Sequence, residues 1–161
     1  MPKSELKGAE KGSLTDEVAL PDGVAASVSG RVLVLKGPKG ETSREIGEPN
    51  VAVSVERGKV VIASAKGSKR EKKIAGSLRA HIVNMVRGVT EGHTYRLKIC
   101  FTHFPITATV SGRKFIVKNF FGEKTPRELE LPADVKVKVE GAEIVMESAN
   151  RESVGQAAAS V

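Results

Sequence analysis

The residues of this chain able to do chemistry are few and of two kinds. Three histidines and one cysteine are the candidates for catalysis or metal binding: His81, His93, His103 and Cys100. Cys100-x-x-His103 supplies two ligands at a strand end with no second pair, whereas a structural or catalytic metal needs three or four. No nucleophile, base and orienting acid share a plausible pocket, so the sequence points away from an enzyme, a metal, a cofactor or a small-molecule substrate. The second kind is cationic. Lys69, Arg70, Lys72 and Lys73 crowd the start of a predicted helix, and a strand-loop segment, Arg113-Lys-Phe-Ile-Val-Lys-Asn-Phe-Phe-Gly-Glu-Lys-Thr-Pro-Arg127, carries Lys114, Lys118, Lys124 and Arg127.

Cations in a first helical turn oppose the macrodipole, which asks for an external anion or for a solvated face with Glu71 offsetting part of the charge. A phosphate backbone meets that requirement, because helix-start N–H groups and several cations converge there. In the later segment Phe115 and Val117 point one way and Lys114 and Lys118 the other, giving a basic outer stripe. Phe120-Phe121 before Gly122 is read as core, as a contact between domains or as a stacking surface for bases, with at least one ring expected in the core. Gly37-Pro38-Lys39-Gly40 has the spacing of a nucleotide-clamping GxxG, but it joins strands rather than helices and reads as a hairpin turn.

The elements that position these residues form a repeat. Val28-Ser-Gly-Arg31 returns as Val110-Ser-Gly-Arg113, and the following Lys and Gly-Glu recur in register. Val51-x-Val53-x-Val55-Glu56 is matched by Val135-x-Val137-x-Val139-Glu140. Two copies of a unit of roughly 70 to 80 residues are a duplicated small domain rather than a solenoid. The expected architecture is α+β: two tandem homologous domains, each a small antiparallel β-sheet with one amphipathic helix packed on it. Residues 1–16 are expected to be a flexible arm, 17–92 the first repeat domain and 93–161 the second.

In the first copy, alternating Val24, Ala26 and Val28, the turn signal Ser29-Gly30, and β-rich runs at 31–36, 41–46, 51–56 and 59–65 predict an antiparallel meander. The period then changes. Ile74, Leu78, Ile82, Met85 and Val86 share one helical face, Ser68-x-x-Glu71 is a capping box, and Gly88 is the expected stop. In the second copy a strand over 94–102 is expected to put Leu97, Ile99 and Phe101 on one face. Hairpin strands flank Ser111-Gly112, further strands run at 128–131, 135–140 and 143–148, and Asn150 caps a short final helix. All six aromatic residues lie from Tyr95 onward, so the first core is aliphatic and the second is expected around Phe101 and Phe115.

The 161 residues carry a net charge of +7 and a pI of about 9.6, which suits a polyanionic partner. One cysteine permits no internal disulfide and fits a reducing cytoplasm. The start of the chain has no signal-peptide core and no run approaches the roughly 18 apolar residues of a membrane span, so no membrane role is expected.

Four motifs in order, Asn84-Met85-x-x-Gly88-Val-Thr-Glu-Gly92, Thr102-His-Phe-Pro105, Asn119-Phe-Phe-Gly-Glu-Lys-x-Pro-Arg127 and Val154-Gly-Gln-x-Ala158, make the chain resemble the large-ribosomal-subunit protein six family in its archaeal and eukaryotic form. The resemblance runs from about Glu17 to the last residue. It implies a structural, non-catalytic protein that binds 23S-type rRNA beside the sarcin-ricin loop and the site of translational GTPases, among neighbouring ribosomal proteins in the cytoplasmic ribosome. Carried over by position, it implies an RNA-facing second domain using Lys114, Lys118, Lys124 and Arg127, with Asn119 and Gly122 of the shared loop and His103 of the Thr-His-Phe-Pro motif as further RNA-binding candidates. Lys69, Arg70, Lys72 and Lys73 lie outside the shared motif and rest on electrostatics alone. The family's longer final helix and tail, with an Asp-Gly-hydrophobic-Tyr motif, have no counterpart before Val161. The reading from another class is a tandem β-rich protein-interaction module whose basic charge is incidental.

Overall fold

A computed structural model describes residues 14–56, 58–64 and 67–161. The chain divides into two units, the first ending at Val86 and the second running Arg87–Val161. Each contains two three-stranded antiparallel sheets and is followed or closed by a helix, so the α+β, two-domain architecture expected from the repeat is present. The single meander foreseen for each copy is instead split in two.

In the first unit, β1 (Leu14–Ala19), β5 (Val51–Glu56) and β6 (Lys59–Ser64) form one sheet with β6 in the centre. β2 (Ala25–Ser29), β3 (Val32–Gly37) and β4 (Gly40–Glu45) form the other, with β3 in the centre. Both centres show the period-2 alternation of a strand with one buried face: Leu33 and Leu35 are fully buried in β3, Val60 and Ile62 in β6. The second unit repeats the order. β7 (His93–Lys98), β11 (Lys136–Glu140) and β12 (Glu143–Ser148) form a sheet centred on β12, while β8 (Thr107–Ser111), β9 (Lys114–Lys118) and β10 (Arg127–Glu130) form one centred on β9. The correspondence extends to single bonds: Ile46 N–H donates to the Arg31 carbonyl at 2.7 Å, and Leu131 N–H to the Arg113 carbonyl at 2.8 Å.

Three expectations are corrected. Leu14, Thr15 and Asp16, assigned to the flexible arm, belong to β1 and pair with Ser64, Ala63 and Ile62. Without them one edge of β6 would leave its backbone donors and acceptors unmatched. The rest of that arm, 1–13, and Ala65 at the end of the expected strand lie outside the described residues. The predicted strand over 94–102 stops at Lys98, and Phe101 is 52% exposed rather than in the core. The hairpin turns are Gly30-Arg31 and Gly112-Arg113, one residue later than Ser-Gly suggested, since Ser29 pairs with Val32 and Ser111 with Lys114. Both glycines sit at φ 61, which a turn with glycine first in its central pair requires.

Helix α1 (Lys69–Thr90) passes Gly88 and ends before Gly92, at φ 84. Gly88 has a different role: a Cβ there would run into the Ala149 carbonyl oxygen. The buried stripe of α1 is Glu71, Ala75, Leu78, Ile82, Met85 and Val89, slightly rotated from the one read off the sequence, so Ile74 and Val86 are only half-buried. Helix α2 (Arg151–Ser160) packs on β7 and β12, with Val154 and Ala157 buried. Its start is fixed by Asn150, whose Oδ1 accepts from Glu152 N–H at 3.0 Å and Ser153 N–H at 3.5 Å. The second core gathers Phe115, Leu131, Val135, Ile144, Met146, Val154 and Ala157, so it is built around Phe115 alone among the phenylalanines.

Candidate nucleic-acid interface

Strand β9 fixes the direction of the cations. Its inward positions bury Phe115 and half-bury Val117, so Lys114 and Lys118 stand on the outer face. Lys114 does not stand alone. Its ammonium lies 3.0 Å from the Glu128 carboxylate on β10. That hydrogen bond, followed by the attraction of the same charge, raises the Lys114 pKa above the ordinary lysine value.

Between β9 and β10 the chain makes a braced loop. Asn119 and Phe121 adopt left-handed conformations, φ 59 and 49; asparagine enters that region readily, whereas a bulky ring such as Phe121 does so only when its surroundings impose it. The surroundings here are specific. Asn119 Nδ2 donates to the Pro105 carbonyl at 2.9 Å. Gly122, at φ 81, lies under the Phe104 ring, which would stand 3.2 Å from any Cβ added there. The Arg127 guanidinium sits 4.4 Å above the centre of the Phe120 ring. It also donates twice to Glu123, Nε to Oε2 at 2.9 Å and Nη2 to Oε1 at 2.8 Å. The hydrogen bonds hold the Glu123 carboxyl below, and the Arg127 guanidinium above, their usual pKa.

Of the four cations on this edge, Lys114 and Arg127 are therefore committed to protein carboxylates. Lys118 and Lys124 are exposed and have no ion-pair partner among the described residues. Sequence reasoning missed Glu123 and Glu128 as partners, although Glu123 and Arg127 stand at the i,i+4 spacing of a local ion pair. It also missed the support that Phe104 gives Gly122. The expectation that at least one of Phe120 and Phe121 packs in the core is corrected: Phe120 is only half-buried, its ring under Arg127 and beside a groove of about 530 Å³ also lined by Leu97, Phe115 and Val117. Phe121 is 78% exposed.

His103 is exposed, and its ring meets Phe104 edge to face at 4.8 Å. Cys100 is an exposed free thiol, its Sγ 3.8 Å from the Lys98 carbonyl oxygen. Among the described residues no three His, Cys, Asp or Glu side chains gather as metal ligands. His81 is half-buried, its Nε2 3.2 Å from Arg44 Nη2.

At the other cationic site, Ser68 Oγ accepts from the Glu71 N–H at 3.3 Å and Glu71 Oε2 accepts from the Ser68 N–H at 3.3 Å, forming the capping box. Glu71 also accepts from Ser64 Oγ at 3.1 Å and is buried. Its carboxylate turns inward, leaving Lys69, Arg70, Lys72 and Lys73 exposed at the first turn.

The sequence profile described as Ribosomal protein L6 matches residues 20–92 and again residues 104–161, the two copies of the repeat. The chain belongs to the Ribosomal protein L6 family. Relatives named large ribosomal subunit protein uL6 agree. The protein from Methanothrix thermoacetophila is 41% identical over 142 residues, covering 88% of this chain and 81% of the relative. That from Methanocella arvoryzae is 40% identical over 146 residues, covering 90% and 82%. That from Nanoarchaeum equitans is 41% identical over 145 residues, covering 86% and 76%. The resemblance to an archaeal-type family, drawn above from four short motifs, thus holds across most of the chain. The L6 family is a structural one, in keeping with a chain read as no enzyme.

Proposed function

We propose that the chain is a structural constituent of the large subunit of the cytoplasmic ribosome and binds its rRNA through the outer edge of the second unit, near the sarcin-ricin loop and the site of translational GTPases. Lys118 and Lys124 hold phosphates, and the braced loop between β9 and β10 fits the RNA by shape. Asn119, Gly122 and Arg127 act mainly by fixing that loop. Lys114 contributes through a cation already shared with Glu128. The start of α1, with Lys69, Arg70, Lys72 and Lys73, is a second phosphate-binding surface, and neighbouring ribosomal proteins complete the setting. Contact with the GTPases is indirect, through the RNA.

The observation that carries this reading is the pair of uncommitted lysines on a rigid edge, in a chain of net charge +7 whose relatives are named as large-subunit proteins. The test is a salt-titrated binding assay with a large-subunit rRNA transcript. Wild-type affinity should fall steeply with salt, and Lys118→Glu with Lys124→Glu should flatten the log–log slope by about two, roughly one per lost phosphate contact, with the fold intact. An unchanged slope in the double variant would move the site elsewhere. Weak binding of the wild type at all salt concentrations would favour a protein-interaction module with incidental charge.

A further inference from the structure

Three of the five phenylalanines of this chain are exposed: Phe101, Phe104 and Phe121. Scattered apolar residues on a surface need no explanation, but exposed rings gathered at one braced loop do. His103 meets Phe104 edge to face, the Phe104 ring covers Gly122, and Phe121 beside it meets Phe120 edge to face at 4.6 Å. Arg127 closes the series over Phe120. Most of the Phe121 ring is open to solvent.

We infer that the Phe104 and Phe121 rings form a stacking platform for unpaired bases, so that this edge recognises a looped or bulged segment of RNA and not only the backbone of a duplex. This rests on the rRNA-binding reading above and specifies the form of RNA bound. First, Phe121 is in a left-handed conformation with its ring outward, an arrangement unfavourable in water on both counts, its one ring contact among the described residues being Phe120. Second, the loop around it is braced: Asn119 is tied to Pro105, Phe104 lies on Gly122, and Glu123 anchors Arg127 over Phe120. A ring already in place loses little freedom when a ligand stacks on it. Third, the uncommitted cations Lys118 and Lys124 lie in sequence on either side of the ring, at the last residue of β9 and within the loop. An exposed ring on a loop that also carries free lysines suits a nucleotide, whose base stacks while its phosphate is held. An apolar protein surface would gain little from the flanking charge.

The test uses the full chain and large-subunit rRNA transcripts carrying 2-aminopurine at loop and bulge positions. Phe121→Ala should weaken binding about 5- to 150-fold, the loss of one stacked base. The salt slope should stay unchanged and the 2-aminopurine quench should disappear. Phe121→Trp should retain both affinity and quench, and Phe121→Leu, which is apolar without a π face, should behave like Phe121→Ala. Wild-type affinity in Phe121→Ala, beside a weakened Lys118→Glu/Lys124→Glu variant, would overturn stacking and leave the phosphate contacts standing. Loss of neither would overturn both. If Phe121→Leu bound RNA as wild type, or if only association with another ribosomal protein were lost, the ring would be a protein contact and the inference would fail.

Discussion

The connection after β3 and the connection after β9 start from the same short sequence and end in different structures. In the first unit Gly37 pairs directly with Gly40, a tight hairpin that brings Lys36 to 3.0 Å from Glu41. The repeat aligns Lys36 with Lys118 and Glu41 with Glu123, yet in the second unit the chain leaves the ladder after β9 and rejoins it at Arg127. The path between the two conserved backbone bonds, from Arg31 to Ile46 and from Arg113 to Leu131, is three residues longer in the second copy. Glu123 now pairs with Arg127, and Lys118 is left uncommitted. A small extension of one hairpin thus frees the lysine that the tight turn pairs with its own glutamate. Duplicated sheets need not duplicate a binding surface, because what lies between the strands decides where each charge goes.

The largest expected effect tests the cores beneath the two hairpins. Phe115 and Leu33 occupy equivalent central positions, each 1% exposed. Phe115→Ala should cost about 3 to 5 kcal/mol and Leu33→Ala about 2 to 5 kcal/mol, read from chemical denaturation with hydrogen exchange to assign the loss to a unit. A cost below about 1 kcal/mol for Phe115→Ala would contradict a second core centred on that ring. The loop gives the next effect. Gly122→Ala places a Cβ at φ 81 against the Phe104 ring and should destabilise by about 1 to 2 kcal/mol, detectable as a lower Tm. A neutral result would show the loop to be looser than the Phe104 contact implies.

The smallest effect is a titration. Glu123 ionises below the ordinary carboxylate value because Arg127 hydrogen-bonds its charged form. A lowered folded pKa contributes stability that is present above the unfolded value and lost as pH falls through the folded one. Acid should therefore release Arg127 below the normal carboxylate range. In Arg127→Ala, NMR of the side-chain carboxyl carbon should show Glu123 titrating higher, near its ordinary value. An unmoved titration would remove Arg127 as the cause. Both side chains are largely solvent-accessible, so the change in global stability should be slight.

Much of the fold was legible in the sequence because local chemistry and tertiary demand agree there. Ser68 and Glu71 cap α1, Asn150 caps α2, and the alternation in 59–64 and 143–148 marks β6 and β12. What was not legible depends on partners distant in sequence. Leu14 to Asp16 carry little strand signal of their own and are ordered by pairing with β6. Phe101 continues the alternation of β7, but the strand leaves the sheet after Lys98, so its ring reaches solvent. Nothing in the pattern divides six strands into two sheets. At the candidate site the cations were read correctly as outward-facing, but their commitment to Glu128 and Glu123 follows from β9–β10 register and loop geometry.

The central claim is that the extended hairpin of the second unit frees Lys118 for rRNA, whereas its tight counterpart in the first pairs the equivalent Lys36 with Glu41. The most direct measurement places a short photo-crosslinking side chain at position 118 in one variant and position 36 in another, assembles each into large subunits, and maps adducts by primer extension. Position 118 should give rRNA stops clustered at one site, and position 36 few or none. Strong stops from position 36 with none from position 118 would contradict the account.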